Sequence, residues 1–449
     1  MLKLPTDCLN EIFEFLENDK FTLYSCILVN RFWCEVSVRI FWRDIWNYSI
    51  SNFRTLVACL PNESKEILYK NGIIISTPTL KTPIFNYASF CKNLSVNRVH
   101  YKIEKLLNNQ QNIHNKTHIV TQEIFKMFMK EISSLKSLAF FPYINVTFNL
   151  YPGANDCLKN LSELHCNSNI PTEFFYQLSQ ICCNIQFFTL EFNVNSNVSN
   201  GIADLISIQK NLKCFDIYGG DHRIPLSFIA DLSILQVLEL SFENDECFGD
   251  FEKLQYASFP QLRILKIKAK YPRVELLIKF LENNGKNLKE ICIGEYTTCC
   301  DNSLNLAIAK FCPNLRKIST GIENNELETL KIIFNSCKNL ESVKIWCGGK
   351  FLSEKEVLEA FAKYSQNIYE LILYHLFEVR FELLPEELES FFVSFAVRKP
   401  QKPLSLVVVN YDANSLDTNL ENIDIINKYI KLGVIKKFKV TDFEDEEYN

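Results

Sequence analysis

Histidine and cysteine are the residues of this sequence best suited to metal or nucleophilic chemistry, and there are six and seventeen of them. His114 and His118 are four residues apart, which would place two imidazoles on one face of a helix, but the only carboxylate near them is Glu123. The adjacent pairs Cys182–Cys183 and Cys299–Cys300 do not have the spacing that zinc sites typically use. We therefore expect neither a metal nor any other cofactor.

Catalytic motifs point the same way. The sequence contains no phosphate-binding glycine loop, no Gly-x-Ser-x-Gly and no His-Glu-x-x-His. No Ser/His/Asp or Cys/His combination can be singled out as an activated nucleophile. These observations argue against an enzyme, and we expect the chain to act by binding another protein.

The charge balance argues against nucleic acid as that partner. The chain has 48 basic and 53 acidic side chains, a net charge of −5. Residues 442–449 form an acidic tail with five acids and no base, so the remaining residues sum to zero. A nucleic-acid binder usually shows a net basic field or a basic stripe, and neither is evident in the sequence.

Nothing in the sequence predicts export or a membrane span. Pro5, Asp7 and Glu11 interrupt any apolar core of a secretory signal, and no window reaches the ~20 apolar residues that a span needs. The cysteines are odd in number and form no Cys-x-x-Cys pair, which favours reduced thiols packed as small apolar side chains. We expect a cytoplasmic or nuclear location, or both, and no membrane partner.

One apolar pattern, of the form L-x-x-L-x-L, recurs along most of the chain. The intervals between its copies range from 23 residues (Leu212 to Leu235) to 28 residues (Leu340 to Ile368). A single copy is common by chance, but ten at a nearly constant interval are not. The copies begin at Leu135, Leu161, Ile185, Leu212, Leu235, Leu262, Leu288, Leu315, Leu340 and Ile368.

Two other features keep this register. Asn stands directly before the first apolar residue in seven of the ten copies, and Cys stands three residues before it at Cys182, Cys312 and Cys337. The stretches between copies have helical spacing, as at Val274, Leu277, Ile278 and Leu281, with Gly285 as a predicted helix end.

A short strand and a helix repeated at this interval resemble the leucine-rich repeat, and the Cys-x-Asn-Leu lead-in resembles its cysteine-containing subclass. The resemblance implies an α/β solenoid, a horseshoe with a parallel sheet on the concave side and helices outside. Each repeat would share its core with its neighbours, because one unit cannot bury its own apolar face. We predict the solenoid over residues 131–441, with less regular copies at Leu404–Val409 and Ile435–Val440.

The first 46 residues form a separate pattern of three short helices rich in apolar side chains. Leu9, Ile12, Phe13 and Leu16 fall on one face of a first helix, which Pro5 can start. So few residues cannot bury this much apolar surface alone, so part of it should be covered by the rest of the chain or by a partner.

This region resembles the F-box. Leu4-Pro5, Leu9, Ile12-Phe13, Leu16, Val29-Asn30-Arg31-Phe32-Trp33 and Trp42 match the order and spacing of that family's motif, with Asp7 where it often has Glu and Asn30 where it often has Cys. The resemblance implies docking onto a Skp-type adaptor and, through it, a cullin–RING ubiquitin ligase. The residues that would bind the adaptor are Leu4, Pro5, Leu9, Ile12, Phe13, Leu16, Val29, Trp33 and Trp42.

The combined resemblance implies the substrate-recognition subunit of a Skp–cullin–F-box ligase, with an F-box at 1–46, a helical linker or degenerate repeats at 47–130, and a target protein held by the concave face. Three alternatives stay open. The chain could bind the adaptor but serve in another assembly. It could be a repeat scaffold or enzyme inhibitor, acting outside ubiquitin ligases, whose N-terminal helices are only a cap on the solenoid. It could also be an enzyme, for which the sequence offers no site.

Strand alternation predicts which side chains face the concave side. Aromatic residues among them are the usual anchors of protein recognition, and nearby lysines would add a basic strip. The predicted target-binding residues are Tyr218, Lys266, Lys268, Lys344, Trp346 and Tyr374.

Overall fold

The structure of the protein is a computed structural model that describes residues 4–79, 83–108, 110–141, 148–193, 200–220, 225–294, 301–375, 383–397, 402–410 and 415–442. The chain divides into two compact units, residues 1–212 and 213–449. Cys299–Cys300 and all of the predicted acidic tail except Asp442 lie outside the described residues.

The first unit begins with helices and continues into strand–helix repeats. Its α-helices are α1 (Thr6–Glu14), α2 (Lys20–Ile27), α3 (Arg31–Phe41), α4 (Ile50–Cys59), α5 (Asn62–Lys70), α6 (Val96–Leu107), α7 (Ile113–Glu131), α8 (Ala154–Leu158), α9 (Thr172–Ile181) and α10 (Asn200–Ser207). Its 3-10 helices are Ile45–Asn47, Tyr87–Phe90 and Phe148–Leu150. Its strands, which pair in parallel in chain order, are β1 (Asn93–Ser95), β2 (Ser137–Phe140), β3 (Glu163–Asn167) and β4 (Phe187–Phe192).

The second unit consists of repeats throughout. Its α-helices are α11 (Phe251–Leu254), α12 (Val274–Asn284), α13 (Asn302–Phe311), α14 (Leu327–Ser336), α15 (Glu354–Tyr364), α16 (Pro385–Ala396) and α17 (Leu420–Lys431). Its 3-10 helices are Leu226–Asp231, Asp245–Phe248 and Gly285–Asn287. Its strands also pair in parallel in chain order, and they are β5 (Cys214–Gly219), β6 (Val237–Phe242), β7 (Ile264–Ala269), β8 (Glu290–Ile293), β9 (Lys317–Gly321), β10 (Ser342–Cys347), β11 (Glu370–His375), β12 (Leu404–Val409) and β13 (Ile435–Thr441).

The predicted strands are confirmed. Each of the ten begins two residues after the first apolar residue of its copy, as Val237 follows Leu235. The apolar residues of the copies are buried, as are the two weakest third positions, Cys166 and Thr320. Thr320 donates its hydroxyl to Asn305 Oδ1 over 2.7 Å, which satisfies the polar atom that this slot introduces.

Successive repeats are joined by a recurring pair of backbone hydrogen bonds just before each strand. The Arg263 carbonyl accepts from the N–H groups of Lys289 (2.7 Å) and Glu290 (3.0 Å). The same pattern appears much earlier, where the Arg43 carbonyl accepts from Lys92 (2.7 Å) and Asn93 (3.1 Å). The ladder of repeats therefore starts at Arg43, within the residues predicted as the F-box, and its first strand, β1, lies in the region predicted as a helical linker or degenerate repeats.

The recurring asparagines form a second connection between repeats. Asn211 Nδ2 donates to Asn184 Oδ1 over 2.7 Å, and Asn314 Nδ2 donates to the Lys286 carbonyl over 3.0 Å. Asn367 repeats the contact on the Lys338 carbonyl over 2.8 Å. Each amide thus spans one repeat, which gives a structural reason for Asn at this register.

The recurring cysteines pack in the core. Cys182, Cys312 and Cys337 are buried, and the Cys182 thiol lies 3.1 Å from the Leu158 carbonyl oxygen of the preceding repeat. Burial raises the pKa of the Cys337 thiol to about 11 and that of the other two still further, so these thiols stay protonated at neutral pH. Gly285 does follow the last residue of α12, but its φ is −62°, so the left-handed turn is not its reason. A Cβ at Gly285 would lie 2.7 Å from Cys312 Sγ, so glycine is needed for close packing of the two repeats.

Candidate protein-interaction surfaces

The first candidate surface belongs to the N-terminal module, residues 4–42, in which α1, α2 and α3 share a small core. Phe15 is 91% exposed, and Phe21, Tyr24 and Leu28 lie at i, i+3 and i+7 of α2 and its C-cap, which places them on one side of that helix. Exposed apolar side chains grouped on one side of a helix make this module a candidate protein-binding surface. The exposed large apolar residues of the module are Leu4, Ile12, Phe15, Phe21, Tyr24, Leu28 and Val29.

The structure divides the nine predicted adaptor-binding residues into two groups. Leu4, Pro5, Ile12 and Val29 are exposed, and Leu16 and Trp33 are half-buried. The remaining three, Leu9, Phe13 and Trp42, are buried and do not lie on the surface as predicted.

The burial of these three residues has a packing reason. Leu9 and Phe13 belong to the core of the module, and the Phe13 ring meets Trp33 edge-on with ring centroids 5.1 Å apart. The Trp42 ring packs on Tyr87 (4.4 Å) and Tyr48 (4.9 Å), which follow the module in the chain. Phe15, Phe21, Tyr24 and Leu28 were missed, because helical spacing identifies the core face and leaves the outer apolar residues without a signal.

Arg43 links the module to the first repeat. Its guanidinium makes ion pairs with Glu14 (2.6 Å) and Glu17 (3.2 Å) at the end of α1, while its carbonyl carries the first pair of ladder hydrogen bonds. These contacts place the module and the first repeat in one continuous packing arrangement.

The second candidate surface is the open face of the second unit, meaning the side of its strands that alternates with the buried apolar residues. On β5 to β7 this face carries a charged ladder in direct cross-strand register, Asp216 beside Glu239 and Glu239 beside Lys266. Lys268 pairs with Glu239 (2.9 Å), and Lys266 pairs with Glu290 on β8 (3.3 Å).

Asp216 has the most perturbed carboxyl of this ladder. Burial raises the pKa of Asp216 to about 7, and the neighbouring Glu239 carboxylate adds to the shift, against the opposing effect of Lys268 and Lys266. A carboxyl with this pKa changes its charge in the neutral range, so this part of the open face is sensitive to pH.

Of the six predicted target-binding residues, three lie half-buried on the open face of β5 and β7, namely Tyr218, Lys266 and Lys268. The other three were predicted to be accessible on the concave side, but they are buried. Trp346 is 0% exposed, Tyr374 is 2% exposed and Lys344 is 8% exposed. The structure therefore corrects the predicted row of accessible anchors at β10 and β11.

Local packing explains why Trp346 is buried. The turn after β10 returns across the end of β9. There the backbone of Phe351 forms an isolated antiparallel β-bridge with Glu323, and the Leu352 N–H donates to the Ile322 carbonyl over 3.0 Å. Phe351 thereby stacks near Trp346, with centroids 6.3 Å apart.

Two further details complete this buried patch. Gly321 is the residue beneath both rings, since a Cβ there would lie 2.5 Å from Phe351 Cε1 and 2.8 Å from Trp346 Cε3. Lys344 lies with its ammonium 4.1 Å from the centre of the Tyr374 ring, a cation–π contact. Lys344 and Tyr374 thus contact each other and are buried, so neither is exposed as a contact for a partner.

A buried polar cluster lies at the carboxyl ends of the same strands. Glu354 Oε1, in the first turn of α15, is 3.0 Å from His375 Nε2 and accepts the Leu416 N–H over 3.1 Å. Both side chains are almost fully buried. The cluster connects β11, α15 and the segment before α17, and its burial gives it a structural role.

Within the described residues, no group of three or more His, Cys, Asp and Glu is arranged to hold a metal ion. Among the helices of those residues, none combines the length and the apolar character that crossing a bilayer requires.

The parallel strands in chain order, the outer helices and the repeating hydrogen bonds define an α/β fold of the leucine-rich-repeat type. No protein-family model matches the sequence, and no curated protein matches it either. A solved structure of a Rad7 and Elc1 complex in yeast is similar, with a TM-score of 0.41 and 15% identity, covering 91% of this chain and 87% of that chain. A second, the leucine-rich-repeat-containing protein LegL7 from Legionella pneumophila, has a TM-score of 0.30 and 12% identity, covering 69% of this chain and 84% of that chain.

Proposed function

We propose that this chain is the substrate-recognition subunit of a Skp–cullin–F-box ubiquitin ligase. The N-terminal module is then an F-box that binds a Skp-type adaptor, and the adaptor connects it to a cullin. The repeats hold the target protein. In this function the chain carries out no catalytic step of its own, and it acts in the cytoplasm, the nucleus or both.

One observation carries the proposal: seven large apolar side chains between Leu4 and Val29 are exposed although the module has a core of its own. Burying apolar area is favourable by about 25 cal/mol per Å², so covering these side chains with a partner would stabilise a complex. Leu4, Ile12 and Val29 belong both to this exposed set and to the F-box resemblance, which supports an adaptor of the Skp type as the partner.

The decisive experiment is co-expression of the full chain with a recombinant Skp-type adaptor. A Phe21→Ser/Leu28→Ser variant removes two of the exposed side chains without touching the module core. We expect the native chain to co-purify with the adaptor and the variant to lose at least about tenfold in affinity, since central apolar contacts commonly contribute above 1 kcal/mol each.

A matched control is Tyr69→Ser/Ile84→Ser, which removes two equally exposed apolar side chains outside the module. Its adaptor affinity should stay within about twofold of the native value. Failure of the native chain to bind the adaptor, or unchanged binding by the Phe21→Ser/Leu28→Ser variant, refutes the proposal.

A cullin pull-down then separates this function from the alternatives. Adaptor and cullin together support a ligase receptor, whereas adaptor without cullin indicates another assembly. Deleting residues 1–46 is a poor test, because the deletion also removes Trp42 and the Arg43 carbonyl that carries the first pair of ladder hydrogen bonds.

A further inference from the structure

A row of basic residues lies along the edge of the second unit where its strands begin. In this unit the positions joined by the recurring pair of backbone hydrogen bonds are Lys213, Gln236, Arg263, Lys289, Arg316, Glu341 and Tyr369. Their backbones follow one another at the strand spacing of about 4.8 Å, so the three cations in the middle span about 10 Å. Lys317, the first residue of β9, adds a fourth cation. Arg263, Arg316 and Lys317 are exposed and Lys289 is half-buried, and Lys286 and Lys338 lie in the neighbouring row of amide contacts.

These six residues are called the basic edge below. Within the described residues, none of Arg263, Lys286, Lys289, Arg316, Lys317 and Lys338 forms an ion pair. The nearest candidate partners in register are already engaged. Glu290 pairs with Lys266, and Glu341 accepts the Tyr369 hydroxyl over 3.3 Å.

The first unit shows what a neutralised version of this row looks like. There Lys136 occupies the same position and pairs with Glu163, the first residue of the next strand, over 3.0 Å. In the second unit Glu290 takes this position after Arg263 but pairs with Lys266 over 3.3 Å, and the residues that take it after Lys289 and Arg316 are Lys317 and Ser342. Neither can act as a counterion, so the charge remains available to a ligand.

The dimensions of the basic edge select the kind of ligand. Nucleic-acid sites usually neutralise more phosphates than three aligned cations can reach, and sites for single strands interleave aromatic rings for base stacking. The three cationic positions 263, 289 and 316 have no aromatic residue among them, and Tyr369, further along the row, donates its hydroxyl to Glu341. A short extended peptide with clustered carboxylates or phosphates fits the span, and arginine is the preferred donor to both groups.

We propose that the basic edge binds an acidic or phosphorylated segment of a partner protein. The inference rests on the proposed function in one respect, since it makes this segment part of the protein that the repeats select. The signal in the sequence is the residue that follows the first apolar residue of a copy, which is Arg263, Lys289 and Arg316 in three consecutive copies. This stripe is not evident along the sequence, because the basic residues are about 26 positions apart and meet only in the stacked repeats.

The test uses the full chain and short fluorescein-labelled glycine–serine peptides that carry clustered glutamates, clustered phosphoserines or clustered lysines, together with a short oligo-dT strand. Fluorescence anisotropy measures their affinities for the native chain and for Arg263→Gln/Lys289→Gln/Arg316→Gln. We expect the glutamate or phosphoserine peptide to bind and the triple variant to weaken that binding by at least about tenfold.

Two controls distinguish the loss of this particular site from a general loss of positive charge and from a loss of structure. Lys253→Gln/Lys431→Gln/Lys436→Gln removes the same charge from exposed positions elsewhere in the unit and should change affinity less than about twofold. Arg263→Lys/Arg316→Lys keeps the charge and should retain most of the binding.

Several outcomes overturn the inference. Absence of binding by both anionic peptides, or equal loss in the two triple variants, excludes a specific site at the basic edge. Tighter binding of oligo-dT than of either anionic peptide, lost in the Arg263→Gln/Lys289→Gln/Arg316→Gln variant, reassigns the edge to nucleic acid. Preference between the glutamate and phosphoserine peptides identifies the anion. None of these measurements includes the adaptor, so a failure here is distinct from a failure of the proposed ligase function.

Discussion

The Arg43 guanidinium binds the Glu14 carboxylate through two parallel hydrogen bonds, Nη1 to Oε2 and Nη2 to Oε1, each 2.6 Å long. This bidentate pair connects the end of α1 to the residue whose carbonyl starts the ladder of repeats. It is the clearest side-chain contact by which the N-terminal module is held against the first repeat.

Replacing Arg43 with Met should loosen this attachment. Glu14 and Arg43 are partly exposed, so we discount the pair for solvent screening and expect a loss of about 1 kcal/mol in the free energy of unfolding. Amide hydrogen exchange should also increase in α1. Urea unfolding of native and variant chains measures the loss, and unchanged stability together with unchanged exchange in α1 would contradict a joining role.

The same pair predicts a pH dependence. The hydrogen bonds that Arg43 donates to the Glu14 carboxylate lower the pKa of Glu14 below its usual value of 4.5. The stabilisation is therefore complete above that value, where the unfolded chain is also ionised, and it is lost as the pH falls through the lowered pKa. The difference in stability between native and Arg43→Met chains should shrink as the pH falls below about 4. A difference that stays constant with pH would point to packing instead.

Asp216 should show the opposite dependence. Because its pKa is raised to about 7, the folded state holds a proton that the unfolded state releases at lower pH, so stability falls as the pH rises from about 4 to 7. Asp216→Asn removes this effect and should be more stable than the native chain by about 2 kcal/mol at pH 8, with little difference at pH 4. Urea midpoints at the two pH values measure it, and Glu243→Gln, at an exposed position, is the control.

Glu354 should be essential to the buried polar cluster. Glu354→Ala leaves the buried Leu416 N–H without its acceptor and removes the carboxylate that lies 3.0 Å from His375 Nε2, and a buried unsatisfied group costs about 1–3 kcal/mol. Glu354→Gln keeps a carbonyl oxygen at this position and should lose less than the alanine variant. Equal losses in the two variants, measured by urea unfolding, would show that volume matters here and the acceptor does not.

Gly321 should not tolerate a side chain. Gly321→Ala places a methyl group against Phe351 and Trp346, and overpacking of this kind costs about 1–3 kcal/mol. Gly249→Ala is the matched control, because the nearest atom to its added Cβ is the Glu246 carbonyl oxygen at 3.3 Å. A gain in stability from Gly321→Ala would mean that the two rings can move apart, and that Trp346 can become accessible to a partner.

The predictions that the structure confirms depend on residues close together in the sequence, and those that it corrects depend on contacts between distant residues. The period of the apolar residues correctly predicted the strands from β2 to β13, because each repeat must present its own leucines to the shared core. It missed β1, whose three residues, Asn93–Ser95, form too short a strand to show alternation. Within the N-terminal module, helical spacing identified the core face that Leu9 and Phe13 occupy, whereas the family resemblance assigned these two residues to adaptor binding.

By itself the sequence determined the repeat, the direction of alternate side chains and the apolar character of the first helices, since these depend on neighbours a few positions apart. The tertiary structure alone decided what covers each side chain. Trp346 alternates outward like Tyr218, yet the returning turn at Phe351 buries it over Gly321. Likewise, Arg263, Lys289 and Arg316 are isolated cations along the chain and become one basic row only because stacking brings equivalent positions to strand spacing.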